Sequence, residues 1–333
     1  MIHLLENIDG QRSIAELQKI MLEEYEIPVE TTLNVLTSLE SARLITEVSD
    51  ALELLDSIQK ERFTRQINYI AEFSESEFAG VEAQKKLSDS HVCVFGCGAV
   101  GGNIAYQLAM AGVGHFTLYD YDSVESSDLS RHIYFKESNI GMKKVEALRE
   151  AIYQLDSSID VEVVPSAMKP DTDIEPLISR CNFVVNTMDE PYIGYTSAKI
   201  SRLCVKHRIA HFVAGGFDAH LASTGELIIP YVTPCVECYA DHFKEVLKGW
   251  KPKKHPVQER YNEIGGLASM SLFSSSYACL EILKYLTGIM EMEESFKVRG
   301  EFLFHDMSLT YLNVKRNPNC PVCGGAHANE AEA

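Results

Sequence analysis

Residues 91–122 read HVCVFGCGAVGGNIAYQLAMAGVGHFTLYDYD, and their reading decides the fold. His91–Phe95 is a short apolar, β-branched run, the composition of a strand buried on both faces of a parallel sheet. Gly96, Gly98 and Gly101 follow at G-x-G-x-x-G spacing. An apolar-periodic helix is predicted from about Gly102 to Ala111, and a second strand, His115–Tyr119, ends at Asp120. This is a βαβ unit. Its glycines let backbone N–H groups approach a phosphate at a helix N-terminus, and Asp120 stands where a ribose hydroxyl would be held. The nucleotide is open at this point, because NAD, FAD, S-adenosylmethionine and ATP all use such a unit.

Working outward, 333 residues can hold one large α/β domain and a small one. At 46% hydrophobic and 23% charged, the chain has an ordinary globular composition. No apolar run approaches the ~20 residues that span a bilayer. The start, MIHLLENIDG, lacks the basic region and apolar core of a secretory signal. A net charge of −18 argues against a nucleic-acid partner. Nine cysteines, four of them in two C-x-x-C pairs, point to a reducing compartment and a metal site rather than disulfides, so a cytoplasmic location is expected.

Residues 1–50 read as a separate module, followed by a polar helical linker over 51–61. Ser13 and Glu16 have capping-box spacing, and Ile14, Leu17, Ile20 and Met21 recur on one helical face. Pro28 introduces a second helix with Leu33, Leu36, Leu39 and Leu44 on its apolar side, and Leu44–Val48 reads as a short strand. The pattern is that of a winged-helix-like α module. Through Glu61 there are 13 acidic against 4 basic residues, the wrong sign for reading DNA. The module is therefore either an acidic groove for a peptide or a dimerisation and packing appendage.

Beyond Asp120 the chain offers Arg131 soon after the second strand and Lys144 at the start of a helix introduced by Gly141. Two cations near the glycine loop suit a triphosphate better than a dinucleotide. Val161–Val164 and Asn182–Thr187 read as further strands. The second leads into Met188-Asp189-Glu190-Pro191, which places Asp189 at the ligand edge of an open sheet, where it could hold Mg²⁺. His211–Gly216 and Ala222–Pro230 read as two more strands, and Leu267–Leu286 as an apolar helix. Glu301–His305 and Leu309–Val314 read as closing strands. Cys235, Cys238, Cys320 and Cys323 form two C-x-x-C turns suited to a closed, structural tetrahedral Zn²⁺ site. Between the pairs, Lys244, Lys248, Lys251, Lys253 and Lys254 surround Trp250, a basic segment read as a mobile cover that holds an acidic substrate or leaving pyrophosphate.

In order along the chain stand RFTRQ at 62–66, GCGAVG at 96–101, LYDYD at 118–122, DLSRH at 128–132, GMKKVEAL at 141–148 and NTMDEP at 186–191, with the two C-x-x-C pairs around the basic segment. Over residues 62–323 this series resembles the ubiquitin-activating-type (MoeB/ThiF) adenylyltransferases. The resemblance implies a homodimeric α/β domain, 62–333, with a Rossmann-like mixed sheet and helices on both faces. It implies binding of ATP·Mg and activation of a carboxylate by AMP transfer. Carried across, Gly96, Gly98 and Gly101 line the phosphates, Asp120 takes the ribose, and Asp122 and Asp128 belong to the nucleotide site. Arg131 and Lys144 contact the triphosphate, Asp189 holds Mg²⁺, and Arg65 reaches the partner subunit's ATP as an arginine finger. Asp128 departs from the family's pattern, in which asparagine is usual.

LLENIDGQRSIAEL, residues 4–17, resembles the core of the precursor-peptide recognition domains of enzymes that modify ribosomally made peptides. In those domains an extended leader peptide adds a strand to a small sheet. The layout matches the peptide-tailoring members of the family. It implies a precursor peptide as partner, with Glu side chains as candidate carboxylates for dehydration and ring closure. No cysteine lies in the basic segment to take up a thioester, which tilts the reading away from the alternative, activation of a ubiquitin-like or sulfur-carrier protein. A third reading is a non-catalytic scaffold that presents a precursor peptide.

Overall fold

The computed structural model describes residues 2–42, 44–45, 53–74, 76, 78–189, 193–214, 217–218, 221–246, 248–249, 266–289 and 299–324. The chain divides into two compact units, Met1–Glu82 and Ala83–Ala333.

The first unit is helical among its described residues: α1 (Ile2–Asn7), α2 (Ile14–Tyr25), α3 (Val29–Ser41), α4 (Ser57–Ala71) and the first turn of α5 (Ala79–Asp89). The predicted capping box starts α2: the Glu16 N–H donates to Ser13 Oγ, and the Ser13 N–H donates to the Glu16 carboxylate at 2.8 Å. Leu4, Leu17, Met21 and Leu36 form the small core. Ile14, Leu33 and Leu44, expected on buried faces, are instead 47%, 43% and 72% exposed. On α3 the buried pair is Thr32 and Leu36, spaced i, i+4, and Leu33 lies about 100° further round. The Thr32 hydroxyl can be buried because it donates to the Pro28 carbonyl. Leu44 and Ile45 are not in a strand, and the rest of the expected strand, 46–48, lies outside the described residues. Asp56 caps α4, which starts inside the expected linker and continues through 62–66, so RFTRQ is helical. Phe63, Ile67 and Ile70 face inward from it.

The second unit contains the rest of α5, then β1 (His91–Phe95), α6 (Gly101–Met110), β2 (His115–Tyr119), α7 (Lys144–Leu155), β3 (Asp160–Val164), α8 (Glu175–Ile178), β4 (Phe183–Asn186), α9 (Ile193–Lys206), β5 (Ala210–Val213), β6 (Phe217–Asp218), β7 (Leu221–Ser223), β8 (Glu226–Ile228), α10 (Val236–Val246), α11 (Ala268–Thr287), β9 (Gly300–Leu303) and β10 (Ser308–Tyr311). A six-stranded sheet runs β3-β2-β1-β4-β5-β8. Its first five strands are parallel and β8 is antiparallel to β5. The βαβ unit falls as read, with His91 opposite His115 and Phe95 opposite Tyr119.

β1 is apolar at every position after its first because both faces are covered. Val92 and Val94 pack with Ile104 and Leu108 of α6, Leu148 and Ile152 of α7 and Ile282 of α11. Cys93 and Phe95 face the other way, onto Ile174, Ile178, Ile200 and Cys204. Burying each such Leu or Ile contributes roughly 1.5–3 kcal/mol. This is the predicted mixed sheet with helices on both faces.

A second, antiparallel sheet, β10-β9-β7-β6, was not foreseen. The expected single strand 222–230 is two strands in two sheets, broken between Ser223 and Glu226. Gly225 makes the break with φ +80, against Phe212 and the Val213 carbonyl, where a side chain would have no room. No helix among the described residues is long and apolar enough to cross a membrane.

Candidate functional site

The strand order places β1 between β2 and β4, so the chain winds to one half of the sheet before β4 and to the other half after it. In open α/β sheets a ligand crevice forms outside the carboxyl ends of the strands at such a switch point. The loops after β1, β2 and β4 all leave that edge.

The glycine loop follows β1. Gly96 turns with φ +90 and its N–H donates to the Tyr119 carbonyl at 2.8 Å. A side chain at Gly101 would collide with the Gly96 carbonyl oxygen and Thr187 Oγ1, 2.0 and 2.4 Å from its Cβ. Gly98 differs: a Cβ there would meet nothing within 4 Å. The loop is therefore tight on its protein side and open on the other, which is the form of a phosphate cradle. Asp120 holds it from β2. Asp120 Oδ2 accepts the Cys97 N–H at 2.6 Å and Oδ1 accepts the Asp122 N–H at 2.8 Å. Burial pushes the Asp120 carboxyl above its usual range, and these two N–H groups offset part of that.

The backbone at Arg131 is joined to the glycine loop by one buried amide. Asn103, in the first turns of α6, donates from Nδ2 to the Ala99 carbonyl at 2.7 Å and to the Arg131 carbonyl at 2.9 Å. Its Oδ1 accepts the Ile133 N–H. Arg131 closes a 3-10 turn, Ser126–Ser130, and its guanidinium donates to Asp128 Oδ1 at 3.0 Å. Lys144 Nζ lies 3.1 Å from Asp122 Oδ2 and 3.7 Å from Asp128 Oδ2. The Asp128 side chain is only 2% exposed. Burial acts against its charge, but the Glu125 N–H and the neighbouring Lys144 and Arg131 outweigh it, so its carboxyl is held below the usual range. Lys144 is disfavoured by burial as well, yet Asp128 and Asp122 raise its pKa overall. Arg131 Nε is buried without a hydrogen-bond partner among the described residues. An orphaned guanidinium donor, an open glycine cradle and a buried ammonium are a donor set that fits the phosphates of ATP.

Asp189 is exposed on the loop after β4. The peptide before it is gripped from both sides: the Met188 N–H donates to Asn186 Oδ1 at 3.1 Å, and Thr196 Oγ1 donates to the Met188 carbonyl at 2.6 Å. An exposed carboxylate fits a magnesium ligand in donor type. Arg65 is exposed on α4 of the first unit. Lys248 is exposed and within ion-pair distance of Glu245, and Trp250, Lys251, Lys253 and Lys254 lie outside the described residues.

Sequence reading missed Asn103, Asn186, Thr187 and Thr196. Asn103 left one signal, an amide two residues after Gly101, a turn earlier in the helix than its other amide, Gln107.

Cys235 and Cys238, at the start of α10, meet Cys320 and Cys323, and the four sulfur atoms lie within 4.8 Å of one another. Cys235 Sγ is 3.9 Å from Cys238 Sγ and 3.6 Å from Cys320 Sγ, and Cys238 Sγ is 3.5 Å from Cys323 Sγ. Zn–S bonds of ≈ 2.3 Å in a tetrahedron put sulfurs about 3.8 Å apart. The backbone N–H groups of Asn317 and Val322 point at Cys238 Sγ and Cys320 Sγ, as they do around thiolates. The four residues fit a metal in number, spacing and donor type.

A profile of the ThiF family matches residues 63–322. The chain belongs to the ThiF family. It is an enzyme of the ThiF/MoeB adenylyltransferase type, which sets aside the scaffold reading. The vegetative HesA protein of Trichormus variabilis is 27% identical over 275 residues, 81% of this chain and 91% of the relative. Escherichia coli molybdopterin-synthase adenylyltransferase is 27% identical over 252 residues, 73% and 90% of the two chains. The maize adenylyltransferase and sulfurtransferase MOCS3-1 is 30% identical over 253 residues, but the match spans 74% of this chain and only about half, 49%, of the maize protein. Among solved structures, E. coli MccB with ATP superposes with a TM-score of 0.66 at 22% identity, over 97% of this chain and 91% of MccB. PaaA superposes with a TM-score of 0.69 at 20% identity, over 95% and 90% of the two chains. These last two likenesses are likenesses of fold.

Proposed function

We propose that this ThiF-family enzyme activates carboxylates of a ribosomally made precursor peptide by transferring AMP to them from ATP, in the biosynthesis of a peptide natural product. The observation that carries the reading is the set of glycine loop, Asp120, Asp128, Arg131 and Lys144 at the switch point, with Asp120 holding the loop, Asn103 joining it to the backbone at Arg131, and Asp128 bridging Arg131 and Lys144. The fold it shares with MccB, which has been crystallised with ATP and with MccA, supports the choice of a peptide.

The chemistry follows from charge and position. A peptide carboxylate oxygen attacks the α-phosphorus of ATP. The oxygen–phosphorus bond forms, the bond to the β-phosphate bridging oxygen breaks, and pyrophosphate leaves with the electron pair. The product is an acyl-adenylate, whose AMP is a far better leaving group than oxide. A Glu side chain activated in this way can lose AMP to an internal nucleophile and close a ring. Asp120 orients the ribose. Arg131 and Lys144 take the phosphate charge, and preorganised charges of this kind supply most of the acceleration in such a step. Asp189 would hold Mg²⁺, which neutralises phosphate charge when bound. In a homodimer, Arg65 would serve the partner's nucleotide. The basic segment Lys248, Trp250, Lys251, Lys253 and Lys254 would cover an acidic core peptide, and the acidic first unit would receive the rest of the precursor.

Zn²⁺ in the four-cysteine site would be structural, pinning the stretch after β10 to α10. The nine free, buried cysteines suit the cytoplasm. A second reading is activation of a sulfur-carrier or ubiquitin-like C-terminus, favoured by the likeness to E. coli molybdopterin-synthase adenylyltransferase. ATP–pyrophosphate exchange separates the two. Exchange driven by a glutamate-rich precursor peptide supports the first, and exchange driven only by a carrier protein ending in Gly-Gly refutes it in favour of the second.

A further inference from the structure

We propose that Asp128 makes this site select ATP as its divalent-cation complex over the free nucleotide. The inference rests on the nucleotide reading above and adds a role for one side chain to it. Asp128 is a carboxylate placed between the two cations that would meet the phosphates: Oδ1 accepts from Arg131 at 3.0 Å, and Oδ2 stands 3.7 Å from Lys144. Its side chain is 2% exposed, so water screens it weakly, and it is fixed in place by the Glu125 N–H at 3.0 Å. His132 offers it no third full charge: Nδ1 is 3.9 Å from Oδ1, but burial holds the imidazole pKa below its usual value. Lys143 is turned to the Tyr121 carbonyl. Asp122 already draws Lys144 from the other side, at 3.1 Å.

A phosphate approaching Arg131 and Lys144 must therefore share them with a buried anion that cannot move away. The repulsion scales with the charge on the nucleotide. Free ATP carries roughly four negative charges near neutral pH, and its complex with a divalent cation about two, so the logarithm of the penalty is about twice as large for the free form. Asp128 is then a specificity-determining residue. An asparagine in its place would keep the shape and the acceptor for the Glu125 N–H and remove the charge.

The test is equilibrium binding of ATP to the full-length protein by calorimetry, once with no magnesium added and once in excess MgCl₂, for the wild type, Asp128→Asn and Asp122→Asn. The expected result for Asp128→Asn is about tenfold tighter binding without magnesium and about threefold tighter binding with it. Asp122→Asn shifts both constants in the same sense and by less, because its side chain is 44% exposed and screened. Asp128→Ser, which keeps an acceptor near the Glu125 N–H and also removes the charge, is read in the same way if Asp128→Asn does not fold. Equal shifts in the two conditions, no shift, or weaker binding confined to magnesium (the mark of a cation ligand) each overturn the proposal. A wild type that binds ATP in neither condition refutes the nucleotide reading itself.

Discussion

Gly98 and Gly101 sit three residues apart in one loop, and a methyl group should have opposite consequences at the two. At Gly101 the new Cβ would lie 2.0 Å from the Gly96 carbonyl oxygen and 2.4 Å from Thr187 Oγ1. The first of these is backbone and cannot rotate aside. Overpacking of this kind costs typically 1–3 kcal/mol, and a backbone obstacle puts it near the upper end. Alanine's better helix propensity at the start of α6 returns about 1 kcal/mol, leaving a net loss of about 2 kcal/mol. In a unit of this size that is about 4–8 °C in Tm. At Gly98 the Cβ meets nothing and φ is not in the left-handed region, so Gly98→Ala should be neutral or raise stability by about 0.4–1 kcal/mol. The same methyl fills the space on the open side of the cradle. Wild-type protein at an ATP concentration 100 times its Kd gains about 2.7 kcal/mol from the ligand. Gly98→Ala should lose most of that gain. Thermal unfolding with and without ATP·Mg reads both effects. The reasoning fails if Gly98→Ala keeps the full nucleotide-induced shift, or if Gly101→Ala melts with the wild type.

The other expected outcomes concern separate parts of the molecule. Asp189→Ala should leave Tm within about 1 °C, since the residue is exposed, and should lower pyrophosphate exchange about a hundredfold or more; near-normal exchange removes Asp189 from the chemistry. Elemental analysis should find about one zinc per chain, and Cys320→Ser should bind it far more weakly and unfold at lower urea, whereas folded wild-type protein free of metal refutes the tetrathiolate site. His211 is fully buried, and burial, opposed by the Ile209 carbonyl, lowers its pKa from 6.5 to about 4. The unfolded chain therefore binds a proton that the folded chain refuses. This contribution to stability is complete above pH 6.5 and is lost as pH falls towards 4, by about 3 kcal/mol in all. Urea midpoints across that range should fall less steeply in His211→Gln, and an unchanged slope places the acid sensitivity elsewhere.

What was legible in the sequence was legible for physical reasons. Strands buried on both faces must be apolar throughout, so β1 and β2 stand out, and the glycines between them can only serve a tight loop. The four clustered cysteines came in recognisable pairs. The helices of the first unit were harder. α1 is too short to show a period, and in α4 the inward residues Phe63, Ile67 and Ile70 are spread among charged and polar neighbours. The run 222–230 looked like one strand because its end, Leu227-Ile228-Ile229, is apolar and β-branched, and Gly225 marks the change of sheet. In the candidate site, charge-bearing residues could be named from the chain, but their mutual arrangement could not. That Asp128 separates Arg131 from Lys144, or that Asn103 joins the glycine loop to Arg131, depends on a turn and a helix meeting across 28 residues of chain.

The four-cysteine cluster also fixes an order of events during synthesis. Cys235 and Cys320 are 85 residues apart, as are Cys238 and Cys323. At ≈ 5–20 residues per second, the second pair leaves the ribosome about 4–17 s after the first. Until then Cys235 and Cys238 wait as an open dithiol while α11, β9 and β10 are still being made. The cluster can close only on a chain translated past Cys323, so chains cut short in that interval keep two uncapped thiols, a chemical mark by which proteolysis or thiol reagents could tell them from finished molecules.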